Sequence, residues 1–499
     1  MSNGGWLLPA ILGSSLVPAV VVFFLADESH RTRTLLNMTG ATFKLLLMAW
    51  LLWEFWKEKL ISWRIPLVPG VELVLAVDAK SLLFATLSSL LWFVTTIYAV
   101  GYFNGSSRQS RFFGFFNLSV TATLGIALSG NLVTFLVFYE ILTLSTWPLV
   151  VHRGTPEAMR AGRVYLAYTL AGGAVLLAAV VWLGVLDGFQ DFTPGGCLAH
   201  LAADHGTAIR ILFLMLIAGF GVKAAMVPLH SWLPRAMVAP APVSALLHAV
   251  AVVKAGAFGL VRTVSDVFGP ALISSLGLSH ILLSLAVATI IYGSVRALFA
   301  RELKQRLAYS TVSQVSYIAL GMALAGPFAA VGGLVHLVHQ GLMKITLFFC
   351  AGSFDETLGV YTVEDLRGIG RRMPWTMGAF TVAAFGMIGV PPMAGFISKW
   401  YLARGALEIG QPWALAALAA STFLNAAYFL PVIYAGWFVN RSDPWPRSDQ
   451  FRGRLETRWM LLIPTVFVAV TAVVAGLFAG LPLSPLSWAE LIVRREFVP

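Results

Sequence analysis

Apolar and polar positions in this chain fall into long blocks, not short periods. Windows of 18 or more predominantly apolar residues recur from one end to the other, and about 20 such residues let a helix cross the hydrocarbon layer of a bilayer. Fourteen spans are read in this way, at roughly 6–26, 34–56, 80–103, 111–129, 131–151, 162–186, 208–228, 241–264, 271–295, 306–325, 327–352, 374–403, 411–438 and 459–480. The fold class expected is all-α, a polytopic membrane protein with no soluble domain between its helices. The first window has no basic stretch before it and is too long for the apolar core of a signal peptide, so it reads as a first span. Only the turn Ser129-Gly130-Asn131 separates the fourth window from the fifth.

Two windows are internally broken. Pro228 follows Lys223 by five residues in the seventh, and Pro391-Pro392 precedes Lys399 in the twelfth. Proline removes a helix hydrogen bond, which a membrane tolerates where neighbours or a water-lined cavity satisfy the freed carbonyl. Paired interrupted helices in two halves are the sequence mark of an inverted-repeat transporter. The expected organisation is N-terminal helices in 1–103, a first five-helix repeat in 111–264, a second in 271–438 and a last helix in 459–480.

Composition sharpens this picture. The 499 residues are 58% hydrophobic and 11% charged, against about 25% charged in soluble domains. The net charge of +11 does not point to nucleic acid, because the loops after odd-numbered spans hold 20 of the 34 basic residues and those after even-numbered spans, with the tail, hold 8. The positive-inside rule then places both termini outside. The basic residues left over are Lys44, Lys80, Lys223, Lys254, Lys344 and Lys399, all lysines within or at the edge of spans. No arginine is expected in a helix interior. A desolvated lysine can release its proton and an arginine cannot, so the residue type favours titration. Glu140 is the one acid expected deep in a span, with Glu54 and Asp78 interfacial. Lys44 and Lys80 are expected to snorkel or lie at the interface, with no transport role. Cys197 and Cys350 form no CxxC, which argues against an iron–sulfur cluster or a disulfide framework.

The ionisable residues group into candidate sites. Glu140 and Lys223 read as a carboxylate–lysine pair whose making and breaking shifts the lysine's proton affinity, or else as a static buried salt bridge. His248 and Lys254 share the eighth span, but six residues place them about 240° apart. A break after Pro240-Ala241-Pro242, or a water-lined path, would be needed to connect them. In VHLVHQGLMKITLFF, His336, Gln340 and Lys344 recur at i, i+4 and i+8 as one polar stripe, with His339 off it. That stripe reads as a proton wire in preference to a haem or zinc site. Lys304 borders the tenth span, as a relay or as an ordinary loop charge.

FYEILTLSTW, GFGVKAAMVPLHSWLPRAMVAPAPVSALLH, LKQRLAYSTVSQVSY, the Lys344 stretch and GVPPMAGFISKW resemble, in that order, the antiporter-like subunits shared by respiratory complex I, membrane-bound hydrogenases and Mrp-type sodium/proton antiporters. The likeness runs over roughly residues 75–435. HQGLMKITLFFCAGS and GVPPMAGFISKWYLARGALE look most like the D-type Mrp subunit. The resemblance implies fourteen helices with two inverted five-helix repeats. It gives Glu140 the place of the fifth-helix glutamate and Lys223 that of the seventh-helix lysine. Lys254, His336 and Lys344 take the central relay, and Lys399 the twelfth-helix terminal residue. Gln340 stands where many members have histidine, and the chain ends without the long lateral helix of the most distal complex I subunit.

The function expected is proton translocation within a multi-subunit membrane complex of the Mrp cation/proton antiporter type. The alternatives are the membrane arm of an NADH–quinone oxidoreductase or hydrogenase, and a non-conducting scaffold. Expected partners are other membrane subunits, including homologous antiporter-like ones, with protons, or protons and sodium, as cargo. No catalytic residue, metal or cofactor of its own is expected, and any redox chemistry belongs to partners. The expected location is a bacterial or archaeal cytoplasmic membrane. Protons would enter near the eighth span, pass Lys223, Lys254 and the His336–Lys344 stripe, and leave near Lys399.

Overall fold

The computed structural model describes residues 4–447 and 455–496; Arg452 and Arg454, counted above among the loop charges, lie outside the described residues. Its main helices are α1 (Leu7–Phe23), α2 (His30–Trp56), α3 (Ala79–Tyr102), α4 (Gln109–Ala127), α5 (Leu132–Val150), α6 (Pro156–Asp187), α7 (Ala202–Lys223) and α8 (Ala241–Phe268). They continue with α9 (Leu278–Phe299), α10 (Leu303–Ala323), α11 (Pro327–Leu358), α12 (Pro374–Ile388), α13 (Ala394–Glu408), α14 (Pro412–Phe438), α15 (Trp459–Leu477) and α16 (Pro485–Glu496). The chain is a polytopic all-α membrane protein, and ten helices of the described residues are long and apolar enough to cross a membrane.

Burial fixes the layout. Every residue in the most apolar 18-residue stretch of α8 and of α11 is buried, against 39% in α2 and in α6. α8 and α11 are therefore the centre of the bundle and α2 and α6 belong to its rim, facing lipid with residues such as Leu46 and Val185. Both predicted breaks exist. α7 stops at Lys223 and regular structure resumes at Trp232, so Pro228 lies in the gap. α12 stops at Ile388 and α13 starts at Ala394, with Pro391 and Pro392 between them.

Lipid offers no hydrophobic drive for helix association, so contacts depend on close packing of small residues. The breaks show this sharply. A Cβ on Gly256 would lie 2.2 Å from the Ala224 nitrogen, and one on Gly395 would lie 1.9 Å from the Gly386 carbonyl. One on Gly476 of α15 would lie 2.2 Å from the Pro392 carbonyl. Backbone meets backbone at both interruptions.

One element lies outside the all-α expectation. β1 (Ser62–Val68) and β2 (Val71–Ala76) pair antiparallel, with Trp63 opposite Leu75 and Ile65 opposite Leu73. Pro69-Gly70 makes the turn, a signal that the apolar windows on either side obscured. The α4–α5 turn docks on this hairpin: Gly130 N–H donates to the Val74 carbonyl and Ala76 N–H to the Leu128 carbonyl, both at 2.8 Å. The Asn131 side chain caps α5 by accepting from Thr134 N–H at 2.8 Å. The end of the bundle bearing this hairpin is called the hairpin end below, and the opposite one the arginine-rich end.

Candidate functional site

His248, Lys254, His336, His339, Gln340 and Lys344 all lie on the two central helices with no exposed surface. α11 is continuous, so His336, Gln340 and Lys344 form the expected stripe. α8 is not. It passes through a π-helical turn at Leu246–Val250 and then Ala251, whose φ −108° and ψ −87° leave the helical region. The break lies between His248 and Lys254, rather than after Pro240-Ala241-Pro242, which starts α8. A π-turn within a helix is a frequent mark of functional sites.

The lysines share a mode of binding. Lys254 Nζ donates to the Leu337 carbonyl at 2.7 Å. Lys344 donates to the Leu307 carbonyl at 3.1 Å and to Ser310 Oγ at 2.7 Å. Lys399 donates to the Ile388 carbonyl at 2.7 Å and to Thr422 Oγ1 at 3.2 Å. Lys223 donates to the Tyr139 carbonyl, its Nζ 3.2 Å from the centre of the Tyr139 ring. Half-buried Lys304 donates to the Ala239 carbonyl at 2.8 Å. Every acceptor is neutral, and several are main-chain carbonyls that already serve a helix and take a second donor on the spare lone pair.

Glu140 is half-buried, and its Oε1 has no hydrogen-bond partner. It packs on Gly173 of α6, where a Cβ would reach Oε1 at 2.2 Å. Among the described residues no ion pair joins Glu140 to Lys223, although the two charges act on each other across the gap. The expected pair is present as neighbours in an open arrangement.

The stripe on α11 is not hydrogen-bonded along its length. His336 Nδ1 lies 2.8 Å from Ser398 Oγ, which links α11 to the residue beside Lys399. Its Nε2, both ring nitrogens of His248 and His339, and both side-chain polar atoms of Gln340 and Gln314 are buried without a partner. Buried polar atoms of this kind are places for ordered water. Sequence reasoning missed Gln314, Ser310 and Tyr317, which face the stripe from α10. Their spacing in AYSTVSQVSY, at i, i+4 and i+7, was a helical polar face in plain view.

Three expectations are corrected. Lys80 is 1% exposed, not interfacial, and pairs with Asp266 while donating to Ser265 Oγ at 2.9 Å. Asp266 is 2% exposed, so Glu140 is not the sole buried acid. Arg262 is 1% exposed inside α8, bonded to Asp266 at 2.8 Å and to Asp78 at 2.5 Å. The cause is common to all three: α8 runs on to Phe268 and the loop 192–197 pairs with its last turn, so the expected membrane edge is covered by protein. Lys44, also expected to snorkel, is wholly buried between helices.

Access is visible at one end. A vestibule of about 1030 Å³ at the arginine-rich end is lined by Lys304, Arg153, Arg160, Glu157, Asp355 and Glu356, among others. It brings water to the edge of α10, next to the start of α8.

Comparison with known proteins agrees with this architecture. Residues 129–425 match the family model described as NADH:quinone oxidoreductase/Mrp antiporter, TM. The chain is 35% identical over 437 residues to NADH-quinone oxidoreductase subunit N of Desulforudis audaxviator, covering 85% of each protein. It is 30% identical to a probable K(+)/H(+) antiporter subunit of Rhizobium meliloti, over 88% of this chain but 44% of that protein. It is also 30% identical to hydrogenase-4 component B of Escherichia coli, over 63% of that protein. A chain of the Mrp complex from Dietzia sp. DQ12-45-1b superposes with a TM-score of 0.84 at 23% identity, covering 98% of both. On the family match and the relatives at 30% identity and above, this chain belongs to the NADH:quinone oxidoreductase/Mrp antiporter membrane family.

Proposed function

We propose that the chain moves protons across the membrane as one subunit of a larger complex, along Lys223, Lys254, the His336–Lys344 stripe and Lys399. The observation that carries this reading is the row of buried lysines held by neutral acceptors. A carboxylate within bonding distance would hold each lysine in its charged form, and a carbonyl or hydroxyl does so far less. Such a lysine can pass its proton on. Glu140 gates the row: moving toward Lys223 it holds the proton there, and moving away it releases it, the two-state element that pumping needs.

The rest of the reading follows. His248 sits against Phe348 with ring centres 4.5 Å apart, within the field of Lys344, and serves the same step. His336 lies within the fields of Lys254 and Lys399 and joins the central stretch to the exit. Gln340, His339 and Lys304 are relay positions, with Lys304 at the vestibule. Residues 111–264 and 271–438 form two inverted five-helix units, each with a broken helix near its end. The arginine-rich end faces the cytoplasm of a bacterium or archaeon, with both termini on the other side. Either driver suits this arrangement. The Mrp reading is supported by the antiporter relatives at 30% identity, and the redox alternative by the relative matched over most of its own length. The partners are the other membrane subunits of the complex.

The test is proton flux into sealed vesicles containing the assembled complex. Lys344→Met should lower flux by at least about tenfold with assembly unchanged. An assembled Lys344→Met complex with full flux would overturn the reading.

A further inference from the structure

Lys44 is the one wholly buried lysine that neither the proposed path nor the ionic cluster uses. Its surroundings are polar well beyond what packing requires. Lys44 Nζ donates to Ser15 Oγ of α1 at 2.5 Å, and Ser15 Oγ lies 2.8 Å from Thr121 Oγ1 of α4. Its Nζ sits 4.4 Å from the centre of the Trp92 ring of α3. Toward the arginine-rich end, Asn117 of α4 donates to Asn37 of α2 at 2.7 Å. Further on, Arg33 of α2 donates to Ser110 Oγ at 2.9 Å and to Gln109 Oε1 at 2.7 Å. The exposed ring of His30 lies 2.7 Å from the same guanidinium.

These bonds form rungs of a ladder. Arg33, Asn37 and Lys44 fall within about 40° on one face of α2, as do Ser110, Asn117 and Thr121 on α4. Lys44 stands about 21 Å along α2 from its start, near the middle of the helix. Between rungs, Asn37 Nδ2 and Asn117 Oδ1 are buried without a partner. An unpaired amide in a membrane interior is costly, and water is the remaining partner at a polar seam. Charge points the same way. α1, α3 and α4 contain no acidic residue, and the one acid in α2, Glu54, bonds Lys59 at the hairpin end. Of the other charged groups on these helices, Lys80 is paired with Asp266, Arg31 and Arg111 are exposed and Arg33 forms the first rung. Lys44 is therefore held as Lys223 is, by a neutral acceptor and an aromatic ring.

We propose that Lys44, outside both five-helix units, is a second proton-carrying site, supplied from the arginine-rich end along a hydrated seam between α1, α2 and α4. α3 stands between this seam and the central helices, packing on α2 by one face and on α11 by another. Trp92 Nε1 and Ser88 Oγ lie on α3 without partners, so water can continue the seam along α3. The transport role of Lys44 rests on the proposed function; the hydration of the seam does not.

Two measurements test it. Asn37→Cys and Thr121→Cys, in the assembled complex in vesicles, are treated with a small charged methanethiosulfonate, which reacts with the thiolate in water. Leu46→Cys is the lipid-facing control on α2. Native Cys350 is fully buried, and burial pushes the Cys197 thiol up to about 11, so the background is low. Labelling at 37 and 121 should exceed the control by at least about tenfold, from the arginine-rich side only. Labelling no faster than the control means a dry seam and overturns the proposal, whatever the flux. Then Lys44→Met and Lys44→Arg should each lower proton flux by at least about threefold, because neither side chain releases a proton. Full flux in assembled Lys44→Arg would reduce Lys44 to a fixed charge over Trp92 and overturn its role. Should Lys44→Met not assemble, the conservative Thr121→Val must lower flux by at least about twofold. Absence of flux in the wild-type complex would instead refute the proposed function.

Discussion

Two groups of buried charge in this protein are bonded in opposite ways. At the hairpin end, Lys80 and Arg262 meet Asp266 and Asp78, two cations against two anions. Through the centre, Lys254, Lys344 and Lys399 meet only carbonyls and hydroxyls. Both groups stand at the end or in the interior of apolar helices, and both contain lysine, so residue type and depth do not tell them apart. The partner does. A buried ion pair stays charged and fixes geometry, at a desolvation cost that roughly cancels its attraction. A lysine on a neutral acceptor has no partner that requires its charge, and it is free to cycle. The ionic cluster clamps the hairpin end where α3 starts and α8 stops, so the lysines of the proposed row need not hold the helices by a fixed charge.

The contrast breaks most visibly in stability. Asp266→Asn takes from buried Lys80 and Arg262 the carboxylate that both share, a loss of about 3–5 kcal/mol, read as lower yield and melting temperature of the assembled complex. Normal melting of that variant would remove the distinction between the two groups. Lys399 sharpens the comparison from the other side. Lys399→Ala should stop transport, and Lys399→Arg should fail as well, by at least about tenfold in vesicle flux. Both should assemble, since the groups left behind are neutral. Lys399→Glu should keep partial activity. The reverse order, arginine active and glutamate dead, would put Lys399 with the clamps. Glu140→Gln should lose coupled transport while the complex assembles, because Oε1 of Glu140 supports no hydrogen bond in the structure. Undiminished transport there would deny the gate.

Smaller effects complete the series. Gln340→His should leave flux within about twofold of the wild type or raise it, since histidine adds a titratable group to the stripe; slower transport would count against a wire through α11. Acid should loosen the clamp. Burial raises the proton affinity of Asp78, but Arg262 and Lys80 outweigh it and hold its carboxyl at about 2, below the usual value of about 3.9. A depressed carboxylate contributes stability above its unfolded value and loses it as the pH falls through the folded one. Protease resistance of the hairpin end should therefore fall between about pH 4 and pH 2 and be flat from about pH 5 upward.

Much of this was legible in the sequence, for reasons that can be stated. The windows were visible because lipid-facing and core-facing positions are both apolar, and the breaks because proline has no N–H to give. The α11 stripe was visible because the helix is regular. Lys80, Arg262 and Asp266 were not legible, since their pairing joins α3 to the end of α8 across more than 180 intervening residues and under a loop. The hairpin was hidden because its strands are as apolar as the neighbouring helices. The break at Ala251 carries no proline or glycine, so nothing in the local sequence announced it.

The glycines at the interruptions bear on how this protein would look in an exhaustive substitution screen. Gly256, Gly395 and Gly476 admit no side-chain carbon, because main-chain atoms already occupy that space. Each would score as intolerant as Lys399, in the same patches of the molecule and with the same loss of transport. A map of intolerance alone would therefore draw the conducting row too wide, merging the residues that carry charge with those that let two backbones touch. The separation lies in the kind of replacement: at Lys399 a glutamate should keep some signal, and at the glycines no side chain should restore any.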